Sequence, residues 1–471
     1  MSTPVSARRE VVATLRLALP LALTQLAQIT MSFVDVMMIG RLGPEALAGG
    51  VVGATVFFFF LLVCMGVVMA VSPSVAQAHG AADEEEVSRA TRQGLWLALL
   101  LSAPLLVLFQ FGEPLLRLAR QEPQTAALAS DYLQAIRWGA PFNLAFTALR
   151  GFCEGLGRPR PVLAITLGGS VLNVAGNYVL MYGKLGLPAL GLVGAAWSSA
   201  IAMTAMALAL GLYGARASAL RRYHVFAWRR PEPAALRRLF RLGAPIGMAF
   251  GLEAGLFSVS TLLVGWFGAG ALAAHQVALN AASVTFMVPL GIGMAATVRV
   301  GHAVGQGDPG GARRAGWAAI GLGASFMLGS ALLFWLRPGW VVWVYTGQGA
   351  VATPPEVTAL AGALLGIAAV FQLFDGTQAT AAGALRGLKD TRAPMLIGAV
   401  AYWGVGMGAA LALGFGAGWG PTGIWWGLTL GLAAAAFLLT ARFHRRTRGA
   451  VPPAEPVADL PRETAGEGFL R

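Results

Sequence analysis

Twelve long stretches of apolar residues run through this 471-residue chain, and they constrain its fold more than any other feature. An α-helix that crosses a bilayer needs roughly 20 predominantly apolar residues. Strands of a membrane β-barrel would be shorter and would alternate between apolar and polar side chains, whereas these stretches are continuous. The sequence therefore predicts an all-α polytopic membrane protein. Its twelve transmembrane helices are predicted at residues 16–38, 47–71, 94–111, 131–152, 162–182, 190–213, 240–264, 271–297, 315–336, 358–382, 394–415 and 421–442.

The composition excludes the common classes of soluble protein. Charged residues make up 12% of the chain, about half of the roughly 25% found in soluble domains. The two cysteines, Cys64 and Cys153, lie in or beside apolar segments and lack the spacing of zinc ligands. Neither a cytosolic enzyme nor a disulfide-rich secreted domain fits this composition.

Lys and Arg residues are distributed unevenly between the two sides of the predicted spans. All but six of the 34 fall in the N-terminal arm, in alternate loops and in the C-terminal tail. Because cytoplasmic loops carry the excess of basic residues, both termini are predicted to be cytoplasmic. The same basic loops are expected to contact anionic lipid, and nucleic acid is not an expected partner. The six exceptions are Arg41, Arg117, Arg120, Arg137, Lys184 and Arg337.

The chain also contains an internal repeat. Residues 15–48 align without a gap with residues 240–273, so that Pro20 matches Pro245 and Gly40 matches Gly265. This predicts two six-helix pseudo-repeats in the same orientation, which are able to rock about a central site in alternating access. The predicted units are an N-lobe at 1–213, a basic cytoplasmic linker at 214–239, a C-lobe at 240–443 and a disordered cytoplasmic tail at 444–471.

Three carboxylates, Asp35, Glu253 and Asp375, lie inside the predicted spans. An Asp at the centre of a membrane helix costs about 2.5 to 3.5 kcal/mol on insertion scales. No Lys or Arg is expected deep in any span, so each carboxylate must hold a proton, face water or bind a mobile cation. This pattern is typical of a cation-coupled transporter.

The depth of each acid follows from its distance along the helix to the nearest basic edge residue. Glu253 lies roughly 18 Å from Arg241, and Asp375 roughly 16 Å from Arg386, at about 1.5 Å per residue. Both are therefore expected near the middle of a core about 30 Å thick. Asp35 is closer to its edge, where bonding at a helix end is an alternative role.

Polar side chains share helix faces with these acids or line other spans at helical spacing. They are expected to line a central cavity. For the Gln and Asn residues, hydrogen bonding between neighbouring helices is an alternative role. Phe257 lies one turn from Glu253, where it is able to stack on a flat cation. The predicted cavity-lining residues are Gln28, Ser32, Asn173, Asn177, Phe257, Gln276, Asn280, Gln372 and Gln378.

Several segments in order resemble the multidrug and toxic compound extrusion (MATE) family, and within it the NorM-like branch. They are residues 33–41, 173–183, 274–276, 299–305 and 371–390, and the resemblance extends over about residues 12–443. It implies a V-shaped, two-lobed bundle in the bacterial inner membrane. Such a protein exports organic cations in exchange for Na+ or H+ and works without a cofactor, as a monomer.

The resemblance also assigns roles to the intramembrane acids. Glu253 and Asp375 match the coupling acids of helices seven and ten, where Na+ would bind, and Asp35 matches the acid of helix one. Glu253 favours the NorM-like over the DinF-like branch. Helix five carries Asn173 and Asn177, and lacks the further coupling carboxylate that relatives have there.

Two other functional classes remain as alternatives. A lipid-linked oligosaccharide flippase of the related superfamily would be expected to place basic residues in its cavity for pyrophosphate. A membrane-embedded enzyme would need a nucleophile with a base, or a set of metal ligands, and the five histidines are scattered. The sequence does not choose between Na+ and H+ as the coupling ion.

Overall fold

The computed structural model describes residues 7–227, 230–346 and 354–448, and this part of the chain is helical throughout its regular structure. The first half, which is α1 to α9, contains α1 (Ala7–Gly40), α2 (Pro44–Val68), α3 (Val71–Gly80), α4 (Glu84–Gln110), α5 (Gly112–Leu118), α6 (Pro123–Ile136), α7 (Ala140–Gly155), α8 (Arg160–Gly176) and α9 (Gly191–Arg216). The second half, which is α11 to α18, follows the short α10 (Ser218–Arg221) and contains α11 (Pro233–Gly265), α12 (Ala269–Gly305), α13 (Pro309–Leu336), α14 (Pro338–Thr346), α15 (Pro355–Gly387), α16 (Arg392–Gly398), α17 (Met407–Leu411) and α18 (Gly420–Arg448).

The predicted all-α polytopic fold is confirmed. Within the described ranges, eleven helical segments are long and apolar enough to cross a membrane. The remaining predicted span, 131–152, is divided between α6 and α7 by a 3-10 turn at Arg137–Gly139. Pro141 stands in the first turn of α7, where its missing N–H leaves no hydrogen bond unmade, so a new helix begins there.

The helix ends differ from the predicted domain boundaries in two places. Helix α11 begins at Pro233, inside the stretch predicted as linker, and α18 continues to Arg448. The predicted tail beyond that residue lies outside the described residues. The division into two lobes therefore stays a prediction about which parts move together.

The two halves meet closely through small residues. A Cβ atom built on Gly66 of α2 would lie 2.5 Å from the Cα atom of Gly247 in α11, and one on Gly291 of α12 would lie 2.5 Å from the backbone nitrogen of Ala22 in α1. Small residues let helix backbones approach this closely inside a membrane. The amide of Gln77 also donates to a carbonyl oxygen of the second half, at 2.9 Å.

These contacts all lie toward one end of the molecule. They involve the N-terminal halves of α1 and α11, the C-terminal parts of α2, α12 and α15, and α3, all of which adjoin the basic loops. Toward the other end of the same helices, Phe33, Met37 and Trp266 are exposed. The halves are thus packed against each other at the basic end.

One buried hydrogen-bond network holds the second half together. The indole nitrogen of Trp425 donates to Nδ1 of His275 at 3.1 Å, and Nε2 of His275 lies 3.0 Å from the hydroxyl of Thr261. Both rings are fully buried. His275 therefore serves as a hydrogen-bonded bridge between α11, α12 and α18.

Replacing His275 by Ala is expected to lower the stability of the folded protein by about 1 to 3 kcal/mol, because it leaves a buried indole donor without a partner. Thermal unfolding of the purified protein in detergent measures the loss. The double variant His275→Leu/Trp425→Phe removes both partners. Its loss of stability should be smaller than the sum of the losses in the single variants His275→Leu and Trp425→Phe. An additive result would contradict the pairing.

Candidate functional site

The first half carries an acidic cluster built around Asp35 of α1. The side-chain amide of Asn177 donates to one carboxylate oxygen at 2.5 Å, and the hydroxyl of Ser199 lies 3.4 Å from the other. Asn173 donates to Ser199 at 3.1 Å, and both asparagine side chains are fully buried. The cluster thus joins α1, α8 and α9 through one carboxylate.

A short π-helical turn, Asn177–Met181, gives this cluster its shape. It follows α8 directly and begins at Asn177, the residue that contacts Asp35. Such widened turns are rare and are frequently found at functional sites. The side-chain oxygen of Asn177 is buried and has no hydrogen-bond partner among the described residues. It lies next to the carboxylate as a further free oxygen.

The second half carries a second acidic cluster, centred on Gln378 of α15. Its side-chain nitrogen donates to Glu253 of α11 at 3.3 Å and to Asp375 at 3.4 Å. Its oxygen accepts a hydrogen bond of 3.0 Å from the hydroxyl of Tyr402. One amide therefore connects both carboxylates, and the tyrosine fixes its orientation.

Local structure explains why these side chains converge. Asp375 and Gln378 are three residues apart on α15, so they share a helix face. Tyr402 lies in a π-helical segment, Ala399–Gly406, that packs against α18 and α11. Carboxylate, amide and hydroxyl oxygens of this kind are suitable ligands for hard cations. Among the described residues there is no group of three or more His, Cys, Asp or Glu side chains placed for a metal ion.

A cavity of about 60 Å³ adjoins this second cluster. Glu253, Gln378 and Tyr402 line it together with apolar side chains such as Phe250 and Leu290. Small-molecule pockets usually measure roughly 300 to 1,000 Å³. In this conformation the cavity therefore has room for a small ion with water, but not for a drug-sized molecule.

Arg386 also lines this cavity, and this corrects one expectation from the sequence. No Lys or Arg was expected deep in a span, and Arg386 was expected at the membrane edge, just beyond the predicted span 358–382. In the structure Arg386 is only 9% exposed, and its guanidinium carbon lies 5.7 Å from the centre of the Phe250 ring. The last turns of α15 pack tightly on α12 at Gly383 and Gly387, which draws the helix end into the protein. Distance along the sequence to the membrane edge did not reveal this burial.

The acids of the second half face the protein. Asp375 is buried at 5% exposure, and Glu253 is half-buried and lines the cavity. In the described ranges neither forms an ion pair with an arginine within 4 Å. Exposure to lipid or a fixed salt bridge would exclude cation exchange at these residues. Neither is found for Glu253 or Asp375 in the described ranges.

Two predicted cavity residues of the second half have other contacts. Gln372 is buried and accepts hydrogen bonds from Thr285 at 3.0 Å and from Ser330 at 3.1 Å. Phe257 packs edge-on against Phe371, with ring centres 6.1 Å apart. Both residues connect helices within the second half. Neither of these contacts involves Glu253, Asp375 or Gln378.

The remaining predicted residues lie nearer the surface of each half. Ser32 and Asn280 are exposed, whereas Gln28 and Gln276 are half-buried. The hydroxyl of Ser32 donates to the carbonyl oxygen of Gln28 at 3.3 Å, within its own helix. Their side chains are therefore free of the two carboxylate clusters in this conformation.

Three residues of the clusters were missed by the sequence analysis. Ser199 and Tyr402 belong to predicted spans that carry no acid, whereas Arg386 follows Asp375 by eleven residues on the same helix. A hydroxyl within an apolar stretch was the only signal for Ser199, which follows Ser198, and for Tyr402. For Arg386 the signal was its position only four residues beyond the predicted span 358–382.

The chain is similar to known proteins over most of its length. A family model described as MatE matches residues 20–179 and 245–411. The probable multidrug resistance protein NorM of Pseudomonas aeruginosa is 44% identical over 446 residues, which cover 94% of this chain and 91% of that protein. The multidrug resistance protein NorM of Burkholderia vietnamiensis is 44% identical over 449 residues, which cover 95% of this chain and 96% of that protein.

Solved structures share the fold. A eukaryotic MATE transporter matches with a TM-score of 0.83 at 22% identity, over 94% of this chain and 99% of its own. A multidrug resistance MATE family transporter of the MOP superfamily, in an outward-facing conformation, matches with a TM-score of 0.84 at 19% identity, over 95% of this chain and 99% of its own. At these identities the likeness is evidence for the fold alone.

Proposed function

The chain belongs to the MatE family, and we propose that it is a multidrug efflux transporter that exports organic cations in exchange for Na+ or H+. It is a transporter rather than an enzyme, as are the relatives that share its sequence. Its place is the cytoplasmic membrane of a bacterium, with both termini inside. This orientation rests on the distribution of Lys and Arg among the loops.

The bridge from Gln378 to both Glu253 and Asp375, beside an ion-sized cavity, is the observation that carries this proposal. Two carboxylates this close strongly favour a bound proton or cation, because their like charges repel in a medium of low dielectric. An organic cation and the coupling ion then compete for the same negative charge. Each ligand shifts the protein between its conformations only through its different affinity for them.

The packing of the halves supports a direction for the cycle. With the basic loops in the cytoplasm, the halves are closed at the cytoplasmic end, which corresponds to an outward-open state. In this state the coupling ion enters as the drug leaves. The units 1–213 and 240–443 then rock about the membrane centre, aided by Pro20 and Pro245, whose missing N–H groups weaken the ladders of α1 and α11.

The cluster at Asp35 is proposed as a second cation-binding place. Its carboxylate and the free oxygen of Asn177 are suited to a proton or Na+. Ser32, Gln28, Gln276 and Asn280 are proposed to face the drug path between the lobes.

Efflux from proteoliposomes tests the proposal. Proteoliposomes that contain the protein are loaded with ethidium. An inward Na+ gradient and an inward proton gradient are then imposed in separate experiments. We expect one gradient to accelerate ethidium release over protein-free vesicles. Release that responds to neither gradient would contradict cation-driven exchange.

The flippase alternative gains one feature from Arg386, since a basic residue does line the cavity. However, Glu253 lines the same cavity, and Asp375 is linked to it through Gln378. With both carboxylates ionised the charge there is net negative, which disfavours a pyrophosphate. An organic cation suits this charge better.

Replacing Tyr402 by Phe is expected to reduce drug efflux about two- to tenfold, because it frees Gln378 to turn away from the carboxylates; one hydrogen bond contributes about 0.5 to 1.5 kcal/mol. The initial rate of ethidium efflux measures this effect. Tyr213→Phe, a half-buried tyrosine of α9, is the matched control. Equal rates in the two variants would remove Tyr402 from the site.

A further inference from the structure

Arg386 is a buried cation that forms no direct salt bridge among the described residues, although Glu253 lies near enough to attract it electrostatically. Its Nε atom is buried without a hydrogen bond, and in the described ranges no carboxylate lies within 4 Å of its guanidinium. Arg150, which is similarly buried, instead donates to Glu154 at 2.6 Å. A buried charge is costly unless it is paired, so the open position of Arg386 calls for a role.

Arg386 and Glu253 both line this cavity and interact electrostatically across it. It extends along α11 from Pro245 to Glu253 and along α15 from Gln378 to Arg386. Gln378 contacts Glu253 directly, and Arg386 lies eight residues farther along the helix, roughly 12 Å at about 1.5 Å per residue. The arginine therefore stands at the end of the cavity where the basic loops adjoin and the two halves meet.

Formal charge links the arginine to the carboxylates. With Glu253 and Asp375 ionised and Arg386 protonated, the site carries one net negative charge, so one monovalent cation neutralises it. Without the arginine, the empty site would hold two uncompensated negative charges. Their combined field would bind any cation more tightly and release it less readily.

We propose that Arg386 is the built-in counter-cation of this site and sets how tightly the site holds a mobile cation. The guanidinium lies over the Phe250 ring, and we expect it to stay there while a cation occupies the site. When the cation leaves, the flexible side chain turns through the cavity toward Glu253 and compensates the carboxylates. This inference deepens the proposed function and rests on it, since it concerns the same site.

Equilibrium binding of tetraphenylphosphonium to the purified full-length protein, at fixed pH and without Na+, tests the proposal. Arg386→Gln should bind it about tenfold more tightly, an effect typical of one charge across a partly screened cavity. Arg386→Lys keeps the charge and should stay close to wild type. In efflux assays, Arg386→Gln should lower both KM and kcat, because tighter binding slows release.

Arg392→Gln is the matched control for Arg386→Gln. It removes the same charge from the same end of the second half, but Arg392 is exposed at the start of α16. We expect its affinity for tetraphenylphosphonium to equal that of wild type. Unchanged affinity in Arg386→Gln, or an equal change in Arg392→Gln, would overturn the proposal.

A double-mutant cycle separates this role from a structural one. In the Glu253→Gln background, the further change Arg386→Gln should alter affinity much less than it does alone. If Arg386→Gln does not fold, the double variant should restore folding, because it removes both charges. A double variant that also fails to fold would identify the arginine as a packing element and contradict the proposal.

The two proposals fail in different ways. Wild-type protein that binds tetraphenylphosphonium yet exchanges it for neither Na+ nor H+ contradicts the proposed function. Wild-type protein that performs exchange, but whose affinity is insensitive to Arg386→Gln, contradicts only the role of Arg386.

Discussion

Glu253→Gln and Asp375→Asn are each expected to reduce gradient-driven drug efflux to the level of vesicles without protein, while the protein remains folded and inserted. Each variant keeps the shape of the side chain but removes the negative charge for which the drug and the coupling ion compete. Without a difference in affinity between conformations, an ion gradient cannot drive export. The hydrogen bonds from Gln378 show that both carboxylates belong to one unit.

The measurement is ethidium efflux from proteoliposomes, with the amount of reconstituted protein checked by size-exclusion chromatography. Asp131→Asn, an exposed acid of α6, is the control for the loss of a carboxylate in general. Because the two acids share one amide, the double variant should be no worse than either single variant. Efflux near the wild-type rate in both single variants would contradict the assignment of the coupling site.

Gly291→Leu is expected to abolish transport by a different route. A Cβ atom at this position would lie 2.5 Å from the backbone nitrogen of Ala22, so a leucine cannot fit while the halves are closed at the basic end. Overpacking of this kind costs about 1 to 3 kcal/mol or more. The population should therefore shift toward a state in which these ends separate.

Thiol labelling at the contact between the halves measures that shift. Gln77→Cys, in a background without Cys64 and Cys153, places a thiol at a position that is 5% exposed in the closed arrangement. The labelling rate with a maleimide in detergent should rise severalfold when Gly291→Leu is added. Gly321→Leu of α13, where the added side chain meets open space, should leave both labelling and efflux unchanged. Equal protection of the thiol in both leucine variants would argue against the contact as a gate.

The sequence predicted best those features that depend on residues close together in the chain. Long apolar runs predicted the helices, because a backbone in lipid must satisfy its own hydrogen bonds. Spacing along one helix placed Asp375 and Gln378 on a shared face. In the structure the side-chain nitrogen of Gln378 lies 3.4 Å from a carboxylate oxygen of Asp375. The predicted span 131–152 was continuous in composition, yet the chain changes direction inside it at Arg137–Gly139. Hydropathy does not distinguish a bent span from a straight one.

By itself, the sequence determined that the protein is an all-α membrane protein with an internal repeat and three carboxylates within its spans. Composition and period suffice for this, since each segment must match the bilayer whatever its neighbours are. Only the tertiary structure decided that Gln378 joins Glu253 to Asp375, that Ser199 and Tyr402 complete the two clusters, and that Arg386 enters the cavity. These contacts depend on how helices distant in the chain are rotated and packed against one another, and no pattern within a single helix records that rotation.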